Sequence, residues 1–223
     1  MEAERWVDGV VARIKDWDFK LHPIYRMVHI ENLPSLLEWG CDWSPNALKA
    51  KALEKRAAVH FDIMAKREQT VVHVGPGGCV ADYVAFYFGP LSPMLYAING
   101  GKVEGCRKQR EMIYLTTDAE TVERAGLGFV FTDGHAIMRY VLQFDRLTEL
   151  GKVPWSVIQA KYWNDFADGR CRRQSEFLVK DQFPLELVGE IGVMDEATRQ
   201  RVENIIAPTA FRPLIRVRRE WYF

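Results

Sequence analysis

Residues Tyr83 to Tyr96 read Y-V-A-F-Y-F-G-P-L-S-P-M-L-Y. The aromatic and β-branched run from Tyr83 to Phe88 predicts a buried strand. The G-P-L-S-P segment cannot continue that strand, because proline fixes φ and removes a backbone donor, so Pro90 and Pro93 preset a rigid turn. Rigid loops beside buried strands commonly hold ligands. The apolar stretch containing this unit, Tyr83 to Ile98, is broken by Gly89, Pro90 and Pro93 and cannot span a bilayer.

Outward from this block, short helices and strands alternate. Ile24 to Ile30 (I-Y-R-M-V-H-I) follows Pro23 and reads as a strand. Asn32-Leu33-Pro34-Ser35 opens a helix through Leu36, Leu37 and Trp39, which Gly40 stops. Helical spacing of Trp6, Val7, Val10, Val11 and Ile14 predicts an amphipathic helix over 4–16, and 48–67 reads as another. Val71–Val74, Met112–Thr116 and Phe129–Thr132 read as strands, with a Gly75-Pro76-Gly77-Gly78 turn after the first. A helix is expected from about His135 to Phe144, and 154–167 and 172–180 mix both signals. Val188–Val193 ends in a strand, Ala197–Ile205 is a helix, and Pro213–Phe223 a final strand. Without regular βαβ alternation, the fold class is α+β around a mixed or antiparallel sheet.

The composition is globular: 223 residues, 48% hydrophobic, with seven Trp, eight Tyr and twelve Phe, which excludes a disordered chain. Thirty basic residues balance thirty acidic ones, which taken alone argues against a nucleic-acid partner. The balance hides segregation. Between Lys49 and Arg67 six basic side chains face two acidic ones, a net of +4. Arg170, Arg172 and Arg173 form a second basic cluster, and Arg212, Arg216, Arg218 and Arg219 a third. A polarised surface attracts phosphates whatever the total charge. The first twenty residues mix both signs and resemble no signal peptide. Cys41, Cys79, Cys106 and Cys171 lie far apart with no metal spacing. The expectation is a soluble, reduced, cytoplasmic protein without a metal.

Familiar catalytic signatures are missing. Gly75-Pro76-Gly77-Gly78 has neither Rossmann nor P-loop spacing. No G-x-S-x-G suggests acyl transfer. Arg170 to Val179 (R-C-R-R-Q-S-E-F-L-V) is unusual: one carboxylate, Glu176, stands between a basic cluster and an apolar strand. A glutamate so placed could orient a sugar hydroxyl or take a proton, or simply form an ion pair.

Taken together, these blocks resemble the DarT family of DNA ADP-ribosyltransferase toxins. Ile24 to Leu37 resembles that family's I-Y-H-I-T-H-x-D-N-L, and Pro76 to Ile98 its P-G-G-x-V-x-D-Y-V-P-F-Y-F-x-P-R-S-P-M-L-Y-x-I. Thr132 to Ala136 matches a T-D-G-x-A turn, and Arg172 to Val179 an R-R-x-x-E-x-L-V block. Two positions depart: Arg26 stands for a histidine and Leu91 for an arginine.

The resemblance implies an ADP-ribosyltransferase fold, a split mixed sheet with NAD in its cleft and single-stranded DNA as acceptor. It covers about residues 22–223, taken as one domain, and leaves 1–21 as an N-terminal helical extension. The family's catalytic glutamate falls on Glu176, an NAD-contacting arginine that activates the base on Arg67, and the turn histidine on His135. Arg26, Met27, Val28, His29, Ser35 and Trp43 are implied, with Arg67, to line the cofactor site. Lys49, Lys51, Arg172 and Arg173, with the C-terminal arginines, are expected to track DNA phosphates. Family likeness adds a macrodomain antitoxin as partner. Thymine is the favoured acceptor base, with guanine open because of Arg26 and Leu91. Two other readings stand beside this one: an ADP-ribosyltransferase or NAD glycohydrolase acting on RNA, protein or water, and a non-catalytic nucleic-acid-binding module.

Overall fold

The structure is a computed structural model that describes residues 22–54, 61–103 and 108–223. The helix expected over 4–16, and the extension over 1–21, lie outside them. In chain order the strands are β1 (Pro23–His29), β2 (Cys41–Trp43), β3 (Tyr83–Tyr87), β4 (Met112–Asp118), β5 (Phe129–Thr132), β6 (Gln143–Phe144), β7 (Glu176–Lys180), β8 (Gln182–Pro184), β9 (Glu190–Val193) and β10 (Leu214–Val217). The helices are α1 (Leu33–Trp39), α2 (Pro45–Ala50), α3 (Phe61–Gln69), α4 (Pro93–Asn99), α5 (Ala119–Arg124), α6 (Trp155–Gln159), α7 (Gly169–Arg172) and α8 (Glu196–Ile206).

Eight strands form one sheet in the order β10-β9-β4-β1-β3-β7-β5-β6, and β2 pairs with β8 in a small second sheet. β10 runs parallel to β9; the other pairs are antiparallel. β1 pairs with β4 from Pro23 to His29 but touches β3 only at Tyr25–Tyr87. The sheet is therefore split between β1 and β3. The fold class is α+β with a mixed sheet.

Alternation along the central strands decides what each face carries. In β3, Val84 and Phe86 enter the main core, and in β7 Phe177 and Val179 do the same. Phe177 stacks between Phe129 and Phe131, with ring centroids 5.0 and 6.4 Å away. The opposite parity, Tyr83, Ala85 and Tyr87 on β3 with Glu176 and Leu178 on β7, faces away from that core. The tyrosines, Ala85 and Glu176 line a cleft.

Several expected elements are reshaped by tertiary pairing. The helix over 48–67 is broken: α2 ends at Ala50, Ala52 turns left-handed at φ 53°, and α3 spans Phe61–Gln69. Val71–Val74 is not a strand; Val71 makes one isolated bridge to Cys79. His135–Phe144 is not a helix, because β6 pairs with β5 at Phe131–Phe144 and Asp133 exchanges hydrogen bonds with Leu142. The final strand covers only Leu214–Val217, after which Trp221 and Tyr222 turn inward and are buried. Gly40, at φ 70°, ends α1 where expected, a left-handed cap that glycine adopts freely. Gly75, Gly77 and Gly78 all carry positive φ in the expected turn.

Candidate active site

The split between β1 and β3 opens a cleft of about 460 Å³. Arg26, Met27, Val28 and His29 of β1 form one side, and Tyr83, Ala85 and Tyr87 of β3 the floor. Ile63, Met64 and Arg67 come from α3, where residues four apart share a face. His135 and Glu176 close the far end.

Glu176 is 2% exposed and begins β7 in register with Tyr87. Its amide donates to Thr132 Oγ1 at 3.1 Å, and that hydroxyl donates to Gly134 O at 2.7 Å. Thus the turn after β5 pins the start of β7. Arg67 Nη1 donates to Glu176 Oε2 at 2.8 Å across 109 residues of sequence. The Ala136 amide donates to Oε1 at 3.3 Å, and His135 Nε2 lies 3.7 Å from the same oxygen. Arg67 is 8% exposed, and its Nη2 is buried without a hydrogen-bond partner. A desolvated, unpartnered guanidinium nitrogen on a residue lining the cleft is costly, and an anionic or carbonyl oxygen of a substrate reaching it would offset that cost.

Burial pushes the His135 imidazole below its usual 6.5; the Glu176 carboxylate opposes this, while Arg67, Arg170 and Lys66 add to it. His135 is therefore a neutral base at neutral pH. Burial raises the Tyr87 phenol well above its ordinary value, reinforced by Glu176 and opposed by Arg67, Arg26 and a Ser92 hydrogen bond. Tyr87 stays a neutral hydroxyl beside the carboxylate.

Arg26 is fixed rather than mobile. Its Nε donates to Asp42 Oδ2 at 2.7 Å and its Nη1 to Ala85 O at 3.1 Å. Asp42, on β2, is fully buried, so the second sheet holds this cation at the rim of the split.

Of the residues expected at the cofactor site, Arg26, Met27, Val28, His29 and Arg67 all line the cleft. Ser35, on α1, and Trp43, on β2, do not. Lys49 lines it and lies 3.8 Å from Glu68, while Lys51 sits 4.3 Å above the Trp43 ring, outside it. Arg172 is exposed on the far side of the His135 turn.

Arg173 requires a correction. It is 4% exposed and donates to the carbonyls of Leu91, Val157, Ile158 and Ala160. Its guanidinium is spent inside the protein, tying the approach to β7 to the G-P-L-S-P loop, and it is not free to track phosphate. The C-terminal arginines are likewise committed. Arg218 grips the buried Glu190 with two bonds of 2.6 and 2.9 Å, Arg216 adds a contact at 3.3 Å, and Arg212 caps carbonyls at the end of α8. Leu91 is outside the cleft lining.

Asp42 and Tyr87 were not among the expected site residues. Tyr87 was accessible from alternation, since it shares parity with Tyr83 and Ala85 against core-facing Val84 and Phe86. Asp42 left only a faint signal, an acid inside the short C-D-W strand. Among the described residues, no group of three or more His, Cys, Asp and Glu could hold a metal ion, and no helix is long and apolar enough to cross a membrane.

The chain is similar to known proteins over most of its length. A "DNA ADP-ribosyl transferase" of Thermus aquaticus is 44% identical over 202 residues, covering 90% of this chain and 88% of the relative. The structure of Thermus sp. 2.9 DarT in complex with ADP-ribosylated ssDNA matches with a TM-score of 0.86 at 38% identity, covering 91% of this chain and 96% of that one. The same protein in complex with NAD+ matches with a TM-score of 0.83 at 37% identity, covering 92% and 98%. These matches give the ADP-ribosyltransferase fold. A Thermosipho africanus DNA ADP-ribosyl transferase–DNA ADP-ribosyl glycohydrolase fusion protein is 22% identical over 189 residues, 84% of this chain and 46% of the fusion. The family described as "DarT: ssDNA thymidine ADP-ribosyltransferase, DarT" matches residues 25–223. The chain belongs to the DarT family, the NAD-dependent single-stranded-DNA ADP-ribosyltransferases.

Proposed function

We propose that residues 22–223 form the unit that moves ADP-ribose from NAD to the thymine base of single-stranded DNA, with Glu176, Arg67 and His135 as the reacting constellation. The observation that carries this reading is the buried Arg67–Glu176 pair in the wall of the cleft, with Arg67 Nη2 left without a hydrogen-bond partner. NAD suits the residues present: two guanidinium groups, Arg26 and Arg67, for its oxygens, and a long apolar side from Ile63, Met64, Met27 and Val28.

The reaction breaks the bond between ribose C1 and the nicotinamide nitrogen, whose electron pair leaves with neutral nicotinamide. Positive charge grows on C1 and the ring oxygen, as in glycoside hydrolysis. The Glu176 carboxylate faces that charge from a fixed, water-poor position and accepts from a ribose hydroxyl. In a thymidine the remaining ring N–H is at N3, so N3 forms the new bond to C1 and loses its proton. Arg67 withdraws charge from the thymine carbonyls, and neutral His135 takes the proton. An unstacked base is required to reach C1, which favours single strands over duplex. Lys49 and Arg172, both exposed, serve the strand's phosphates.

We assign the chain the role of a toxin, since covalent marks on template bases obstruct copying. A macrodomain-type glycohydrolase that removes the mark is the fitting antitoxin; the Thermosipho fusion joins two such activities in one chain. The cytoplasm, where NAD meets DNA, is the compartment this requires. Labelled NAD incubated with single-stranded oligonucleotides tests the constellation. Glu176→Gln keeps the shape of the carboxylate and removes its charge, and is expected to abolish transfer while NAD still raises the melting temperature. Transfer at the wild-type rate by that variant would remove Glu176 from the mechanism.

A further inference from the structure

Asp42 is the acid of the short C-D-W strand, β2, and its side chain has no exposed surface. A carboxylate taken wholly out of water is costly unless it is paired. Its cation is Arg26 of β1, whose Nε donates to Asp42 Oδ2 at 2.7 Å. Arg26 is not sealed in with it: 19% of its side chain stays open, and the residue lines the cleft. One end of this ion pair is thus closed inside the protein and the other opens on the cleft.

The guanidinium is held at two of its three nitrogens. Nε is held by Asp42, and Nη1 crosses the split to donate to Ala85 O of β3 at 3.1 Å. Among the described residues Nη2 makes no hydrogen bond. A guanidinium is a planar fork, so two anchored nitrogens set the direction of the third. Burial raises the Tyr87 phenol, Glu176 adds to this, and Arg67 and Arg26 oppose it, so both guanidinium charges reach the floor of the cleft. The place of Asp42 is set in turn by the segment that carries Glu176. β7 begins at Glu176 and leads through Asp181, at φ 60°, into β8, where Phe183 stands in register with Asp42. Ser44 N donates to Asp181 O at 2.8 Å, and the Phe183 ring packs 4.8 Å from Phe86. One continuous run, 176–184, therefore fixes both the carboxylate that closes the cleft and the anchor of the arginine on its side.

Resting on the function proposed above, we propose that Asp42 is a positioning residue for NAD: through Arg26 it presents Nη2 to a phosphate or ribose oxygen of the bound dinucleotide. Asp42 itself touches no substrate. It acts on the affinity for NAD and not on transfer at Glu176. Arginine at position 26, in place of the family's histidine, suits this role. An imidazole has only two ring nitrogens and could not hold both anchors and still present a donor.

Calorimetric titration with NAD alone, beside steady-state labelling of a thymine oligonucleotide, tests this. Asp42→Asn keeps an acceptor for Nε but loses the charge, and is expected to raise the Kd and KM for NAD about threefold. Asp42→Ala is expected to raise both roughly tenfold. At saturating NAD the kcat of Asp42→Asn is expected to stay within about twofold of the wild type, because binding and not the chemical step is weakened. A merely structural role would remove folded protein, lowering the apparent kcat while leaving Kd and KM in place. Arg26→Gln removes the guanidinium, and adding Asp42→Asn to it is expected to change the Kd no further. Asp42→Asn keeps the shape of the buried side chain and decides the matter where Asp42→Ala does not fold. A wild-type Kd in Asp42→Asn, or a further threefold rise when it is added to Arg26→Gln, would overturn the positioning role. So would a fall in kcat with Kd and KM unmoved. A wild-type protein that neither binds NAD nor labels a single strand would instead overturn the proposed function, and the positioning role with it.

Discussion

At the residue scale the site turns on one buried ion pair. Glu176 and Arg67 satisfy each other at 2.8 Å in a place nearly closed to water. Removing one partner strands the other, so Arg67→Ala is expected to destabilise the fold by about 3–5 kcal/mol. Combining it with Glu176→Gln is expected to cost less than the sum of the single changes, which denaturant unfolding of the three variants measures. His135 supplies a pH signature. Its imidazole is held below 6.5, so the folded state favours the neutral form. Its contribution to stability is complete above about 6.5 and is lost as pH falls through that value toward the folded pKa. DNA labelling should follow the same direction, holding at neutral pH and falling on the acid side below the ordinary histidine range. Rate–pH profiles of wild type and His135→Gln check it: the variant is expected to be slower and to lack that limb. The sequence displayed Glu176, Arg67 and His135 as residues of suitable type. Their meeting was legible only through family likeness, because a contact across 109 positions leaves no local trace.

At the element scale, strand and loop chemistry places those side chains. The Y-V-A-F-Y-F block became β3, and the G-P-L-S-P segment became a loop whose Ser92 caps α4 by accepting from Leu95 N at 3.1 Å. Ser92 is fully buried, so Ser92→Ala is expected to cost about 1–2 kcal/mol in thermal or denaturant unfolding. Arg173 binds this loop and the end of α6 to the approach to β7. Arg173→Ala would remove the donor held by the Leu91, Ile158 and Ala160 carbonyls and is expected to cost about 3 kcal/mol by the same measurement. Elements with strong local signals, such as β1, α1 and β5, were readable directly. The segment His135–Phe144 was not, because its fate is set by pairing with β5 and by Asp133, and partners distant in sequence override local propensity. The continuous helix over 48–67 failed for a backbone reason, the left-handed turn at Ala52.

At the scale of the whole molecule, zero net charge includes cations that line the cleft or stand exposed and cations committed to partners within the fold. Lys49 and Arg172 are exposed, whereas Arg173, Arg212, Arg216 and Arg218 contact partners within the fold. With few cations left uncommitted, few phosphate contacts are expected. The slope of log affinity against log salt for a single strand is expected to be shallow, about −1.5 to −3, since each phosphate contributes about −0.7. Binding isotherms at several salt concentrations measure it, and Arg218→Ala is expected to lower thermal stability while leaving that slope in place. A transient encounter suits an enzyme that must release each modified strand.

On the function proposed above, the cleft between β1 and β3 transfers ADP-ribose to thymine through Glu176. Mass spectrometry of single-stranded homopolymers of each base, after incubation with NAD and protein, tests it most directly. A gain of one or more ADP-ribosyl groups is expected on the thymine polymer with the wild type, and none with Glu176→Gln. A gain on guanine with none on thymine, or an equal gain with both proteins, would contradict it.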